Sequence, residues 1–171
     1  MKRSKLPSVV IECCFVLLLF ADLCAAKSWH GIVPLHSTRA DVRRELGKPV
    51  IGGEGSIELF ESEAGHVHVM YARQPCEKGL PADWGNWNVP KDTVINISIT
   101  LNQELPLKDL KIRHLNRLKW YTDHAGATYY HDKQRGIEYQ VEGKMVTAIT
   151  YGPTAKDRPL RCKKNVPLIR Y

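Results

Sequence analysis

Two histidines one residue apart, His66-x-His68, form the best metal-binding signal in the chain. In an extended segment alternate side chains point to one face, so the two imidazoles can share a Zn²⁺. Such a site needs a third ligand, which folding alone can bring from His124, His131 or a carboxylate. Val67, Val69 and Tyr71 alternate with these histidines, so a polar sheet face opposite an apolar one accounts for the same spacing more simply. Neither His-Glu-x-x-His nor Cys-x-x-Cys occurs, which removes the more specific zinc signals. Glu58, Glu61, Glu138 and Glu142 lie in strand-like segments and can pair across a cleft for acid–base work. Charges in alternating strands more commonly sit on the solvent face.

Nucleophile and phosphate patterns are weaker. Ser56 stands in Gly-Glu-Gly-Ser-Ile, one residue out of the Gly-x-Ser-x-Gly pattern. Between Gly136 and Gly143-Lys144 lie six residues where a P-loop has four, and Met145 follows instead of Ser or Thr. Binding signals are broader. Trp84-Gly-Asn-Trp87 puts two indoles in one loop, where they can stack on a sugar or a partner, or close the end of the core. Arg158, Arg161, Lys163 and Lys164 make the C-terminal stretch basic, which suits an anionic surface or an acidic protein. Nucleic acid is a poor candidate, because no reading motif accompanies the charge.

The elements that must position these groups begin after an export signal. Lys2, Arg3 and Lys5 precede nine apolar residues, Cys13 to Ala21, and Cys24-Ala25-Ala26 supplies small residues for cleavage before Lys27. The apolar run is shorter than the roughly 18–20 residues of a membrane span and is flanked by Glu12 and Asp22. Residues 1–26 therefore read as a signal peptide, leaving no integral membrane span after processing. The expected location is periplasmic or secreted. The 171 residues carry 25 Lys+Arg against 18 Asp+Glu, with 43% apolar residues. That balance excludes a disordered chain and suits one domain. Three cysteines leave with the signal, and Cys76 and Cys162 remain as an even pair in an oxidising space. They read as one structural disulfide.

Thr38 with Asp41 three residues later marks a helix start, Val42 and Leu46 share a face, and Gly47 and Pro49 end it. Period-two alternation then predicts strands at 57–61, 66–72, 95–101, 128–131, 137–142 and 144–151. In the third, Ile95, Ile97, Ile99 and Leu101 are expected on one face. Leu107, Leu110, Leu115 and Leu118 suggest a second helical or turn-rich segment. The expectation is an α+β fold with a mainly antiparallel sheet of about six strands and one or two short helices. A helix-plus-three-strand plan repeats loosely in it. The domain spans 27–153, and 154–171 form a basic tail.

The opening Trp29-His30-Gly31-Ile32-Val33-Pro34-Leu35-His36-Ser37-Thr38-Arg39, with Leu46-Gly47-Lys48-Pro49, resembles a group of uncharacterised exported bacterial proteins. The closing Tyr151-Gly152-Pro153 with Leu160-Arg161-Cys162 is similar to that group's ending. The unit of Ser/Thr, short helix, Leu-Gly-x-Pro and strands is more distantly similar to the SmpA/OmlA (BamE-like) small lipoproteins. This chain is longer and lacks their lipidation cysteine, so that resemblance implies a fold alone. The expected function is non-enzymatic, through protein or cell-envelope contacts and without a cofactor. The alternative is a small hydrolase or metal-dependent enzyme using the His66/His68 face.

Overall fold

Thr38 opens the α-helix by capping it from both sides. Its Oγ1 accepts the Asp41 N–H at 3.3 Å, and Asp41 Oδ2 accepts the Thr38 N–H at 2.8 Å. The helix, α1 (Arg39–Leu46), buries Val42 fully and packs Leu46 against the same core. Gly47 ends it at φ 81°, with ψ −151° instead of the left-handed helical value. A computed structural model describes residues 28–53, 55–77, 86–110 and 118–162 of the protein. The expected signal peptide, residues 1–26, and Trp84, Leu115, Lys163 and Lys164 lie outside the described residues.

Seven strands follow: β1 (Ile57–Ser62), β2 (Gly65–Tyr71), β3 (Val94–Pro106), β4 (Lys119–Thr122), β5 (Thr128–Asp132), β6 (Ile137–Glu142) and β7 (Met145–Tyr151). They form one antiparallel sheet in the order β1-β2-β3-β7-β6-β5-β4. With one eight-residue α-helix among the described residues, the fold is mostly β. The α+β expectation is overturned on that ground. Two local choices explain the difference. The leucine-rich stretch supplies only a 3₁₀ turn, Leu107–Leu110, within the described residues. Beyond it Lys119-Trp120-Tyr121-Thr122, rich in β-favouring side chains, adds a strand that leucine spacing had hidden.

One face of the sheet carries the core. Phe60, Val67, Val69, Val94, Ile97 and Ile99 pack there beneath α1, and Ile137, Tyr139, Val141 and Val146 continue it towards β6 and β7. Each fully buried aliphatic side chain contributes about 1.5–3 kcal/mol. The opposite face is polar along β2 and the middle of β3, where His66, His68, Asn96, Ser98 and Thr100 alternate with the core residues.

A bulge breaks the alternation at the start of β3. Met70 pairs with Asn96 while Tyr71 pairs with Val94, leaving Ile95 as the extra residue. Ile95 thus leaves the face of Ile97 and Ile99, where simple alternation put it. It joins Leu35, Ala72, Trp87 and Val89 in a second cluster, against which Met70 and Leu160 pack. No helix among the described residues is long and apolar enough to cross a membrane.

Candidate functional site

The second cluster anchors the C-terminal stretch to the Trp-bearing loop. Cys76 and Cys162 form a disulfide with Cα atoms 5.6 Å apart. Backbone bonds reinforce it. Cys162 N–H donates to Asn86 O at 2.9 Å, Asn88 N–H to Leu160 O at 2.8 Å, and Cys76 N–H to Trp87 O at 2.9 Å. The Arg161 guanidinium lies 4.0 Å over the Trp87 ring, the geometry of a cation–π contact. Trp87 is 4% exposed, and its indole Nε1 meets no acceptor among the described residues.

Thr154 then starts a six-residue 3₁₀ helix, Ala155–Leu160. Buried Asp157 accepts from Thr154 N at 2.7 Å and Thr154 Oγ1 at 2.8 Å, and His36 Nε2 lies 3.2 Å from its other oxygen. Arg158 lies in this turn and Arg161 caps its end.

Beneath them runs a groove of about 770 Å³, within the size range of ligand sites. Asn96 and Thr150 lie in its floor, with Glu138 and His131 on the neighbouring strands and Lys119 and Tyr121 at the β4 edge. Tyr121 stacks on Tyr129 with ring centroids 4.9 Å apart and planes within 8°. Trp120, one position earlier on β4, pairs with Tyr130 and so points to the opposite face of the sheet, 66% exposed; Tyr121 is 52% exposed. Four cations line the groove, Lys119, Lys133, Arg158 and Arg161, against one carboxylate, Glu138. Glu138 faces His131 at 3.3 Å.

The basic residues Arg158 and Arg161 and the indole of Trp87 are therefore brought together, while Trp84, Lys163 and Lys164 lie outside the described residues. Sequence reasoning missed Lys119, Tyr121 and Lys133. The available signal was the β-favouring Trp120-Tyr121-Thr122 ahead of a turn, a stretch given no element in the sequence reading.

The histidine pair sits elsewhere on the polar face. His66 Nδ1 contacts Glu61 Oε1 at 2.9 Å with both side chains half exposed. Among the described residues no group of three or more His, Cys, Asp or Glu is placed to hold a metal ion.

Glu58 departs most from its sequence reading. It points inward beside Phe60, fully buried, and is not a solvent-face charge. Its Oε1 accepts from Arg39 Nη1 at 2.8 Å and from both Nε and Nη2 of Arg43, and its Oε2 accepts the Tyr71 hydroxyl at 2.9 Å. Arg39 also stacks 4.0 Å over the Tyr71 ring and reaches Asp92 at 2.9 Å. Burial alone raises the Glu58 pKa, but the bonds from Arg43, Arg39 and Tyr71 outweigh it and hold the carboxyl below its ordinary value. Burial, then the bond to Glu58, pushes the Tyr71 hydroxyl upwards. With both oxygens engaged, this cluster ties α1 to β1 and β2; it offers no free base for proton transfer.

No protein-family model matches the chain, and no curated protein matches it. Among solved structures it is similar to the crystal structure of a DUF4309 family protein, YjgB, from Bacillus subtilis. That likeness has 14% identity and a TM-score of 0.45, covering 72% of this chain and 83% of the other.

Proposed function

We propose that the protein is an exported binding module that holds an anionic component of the cell envelope in the groove beneath Arg158 and Arg161. The observation that carries this reading is the lining. Four cations and one carboxylate line a polar floor, with the exposed Tyr121 ring at one end. Charges gathered around a recess concentrate the potential there and attract ligands of opposite sign. The site is held by a disulfide and strand pairing, so little ordering is needed on binding. The disulfide also suits an oxidising compartment, which supports export. Binding is favoured over catalysis because the strongest carboxylate cluster, at Glu58, is closed by its own partners.

The test is affinity capture by the tagged mature protein from its native envelope, alongside a Lys133→Ala/Arg158→Ala variant. The expected result is an anionic component retained by the wild type, released by salt and lost from the variant. Identical material on both would contradict the groove.

A further inference from the structure

A second cavity, of about 250 Å³, opens beside the β3 bulge and, among the described residues, shares only Trp87 with the groove. Its apolar wall is Ile57, Met70, Ala72, Ile95 and Trp87. Ile57 and Met70 pair across β1 and β2, so their side chains share a face, and Met70 packs against the cluster that holds Ile95. The charged residues of the described lining, Arg73 and Glu77, form an ion pair with each other. Nothing in that lining calls for a charged ligand.

We infer that this cavity takes the alkyl chain of an uncharged single-chain amphiphile, methyl end inwards. A void of about 150 Å³ holds a benzene ring, so 250 Å³ has room for roughly ten carbon atoms. The surface outside selects a chain over a compact ring. Ile57, half exposed, leads out of the cavity to Leu59, two positions along the same face of β1. Leu59 bridges to Ile51, which is 65% exposed. A ring would stop at Ile57, whereas an extended chain covers all three side chains. A peptide strand meets an occupied edge at this place. Leu59 N–H already donates to Ile51 O at 2.9 Å, and Leu59 O accepts Val50 N–H at 2.8 Å. An alkyl chain carries no polar groups that need partners there. Glu61, next along this face of β1, and His68, opposite Leu59, border the strip with polar side chains. The strip is therefore one chain wide and offers a bilayer no broad apolar face.

The experiment titrates the disulfide-bonded protein with alkyl glucosides of six to fourteen carbons, kept below their micelle-forming concentrations, and with phenyl glucoside. Each added methylene should tighten binding about three- to fourfold up to roughly ten carbons, and less beyond, where the chain leaves the cavity for the strip. The methyl resonances of Ile57, Met70 and Ile95 should shift. Ala72→Leu, which fills the cavity, and Ile57→Gln should each weaken decyl glucoside binding about tenfold. Ile57 is half exposed, so its variant should remain folded by circular dichroism. Ile51→Gln should remove the gain beyond ten carbons and leave hexyl glucoside unaffected. An affinity independent of chain length, phenyl glucoside matching decyl glucoside, or unchanged decyl binding in Ile57→Gln overturns the proposal. Binding to phosphatidylcholine vesicles that Ile51→Gln abolishes would assign the strip to a bilayer and overturn it too.

Discussion

Replacing Glu58 tests the physical logic of the helix–sheet junction. Its carboxylate is fully buried and is shared by Arg39, Arg43 and Tyr71. Glu58→Ala strands the Tyr71 hydroxyl and leaves Arg39, whose side chain is only 12% exposed, without its main acceptor. Removing one partner of a buried pair costs about 3–5 kcal/mol. Arg39 keeps Asp92 and the carbonyls of Gly53 and Gly55, which argues for the lower end, about 3 kcal/mol. At roughly 2–4 °C per kcal/mol for a chain of this size, the Tm should fall by about 6–12 °C.

The pH dependence follows from the same bonds. A carboxyl whose pKa is lowered on folding adds stability above its unfolded value, about 4.3, and loses it as pH falls through the folded value. Stability measured by urea unfolding should therefore decline below about pH 4.3 in the wild type, and less steeply in Glu58→Gln. Glu61→Gln, at an exposed pair with His66, is the control and should leave the Tm unchanged. A Tm within 1 °C of wild type for Glu58→Ala would refute the argument.

Other expectations bear on the frame of the groove. The disulfide closes a separation of 86 residues, and loop closure of that length contributes at most about 4–5 kcal/mol. Cys76→Ser should lower the Tm by at least about 5 °C; an unchanged Tm would show that strand pairing alone holds the C-terminal turn. Gly136 sits at φ 66°, and a Cβ there would lie 2.2 Å from Gly152 O. Gly136→Ala should therefore cost about 1–3 kcal/mol in chemical denaturation, and wild-type stability would contradict that packing.

Local signals in the sequence carried individual elements, but neither the mostly β class of the fold nor most of the site. The Thr38–Asp41 cap and the alternation in β2, β6 and β7 were legible because each rests on neighbours in the chain. Ile95 was misplaced because a bulge is set by pairing with β2, which alternation within one strand does not reveal. Strand β4 was hidden because its four residues are all exposed and show no alternation of burial. Glu58 had a usable signal, two positions before Phe60 and opposite Arg39 and Arg43 at i and i+4. Reading it required knowing that α1 covers β1. The groove was half visible: Trp87, Arg158 and Arg161 stood out by type, while Lys119, Tyr121 and Lys133 reach it through the pairing of β4, β5, β6 and β7.

The groove itself is tested most directly by amide chemical-shift mapping of residues 27–171 as two anionic probes, oligogalacturonate and poly-glutamate, are added in turn. Shifts are predicted to cluster at Asn96, Lys119–Tyr121, His131, Glu138, Thr150 and 152–161. Shifts centred on α1 around Arg43 and Arg44, or at His66 and His68, would contradict the account and move the binding surface elsewhere.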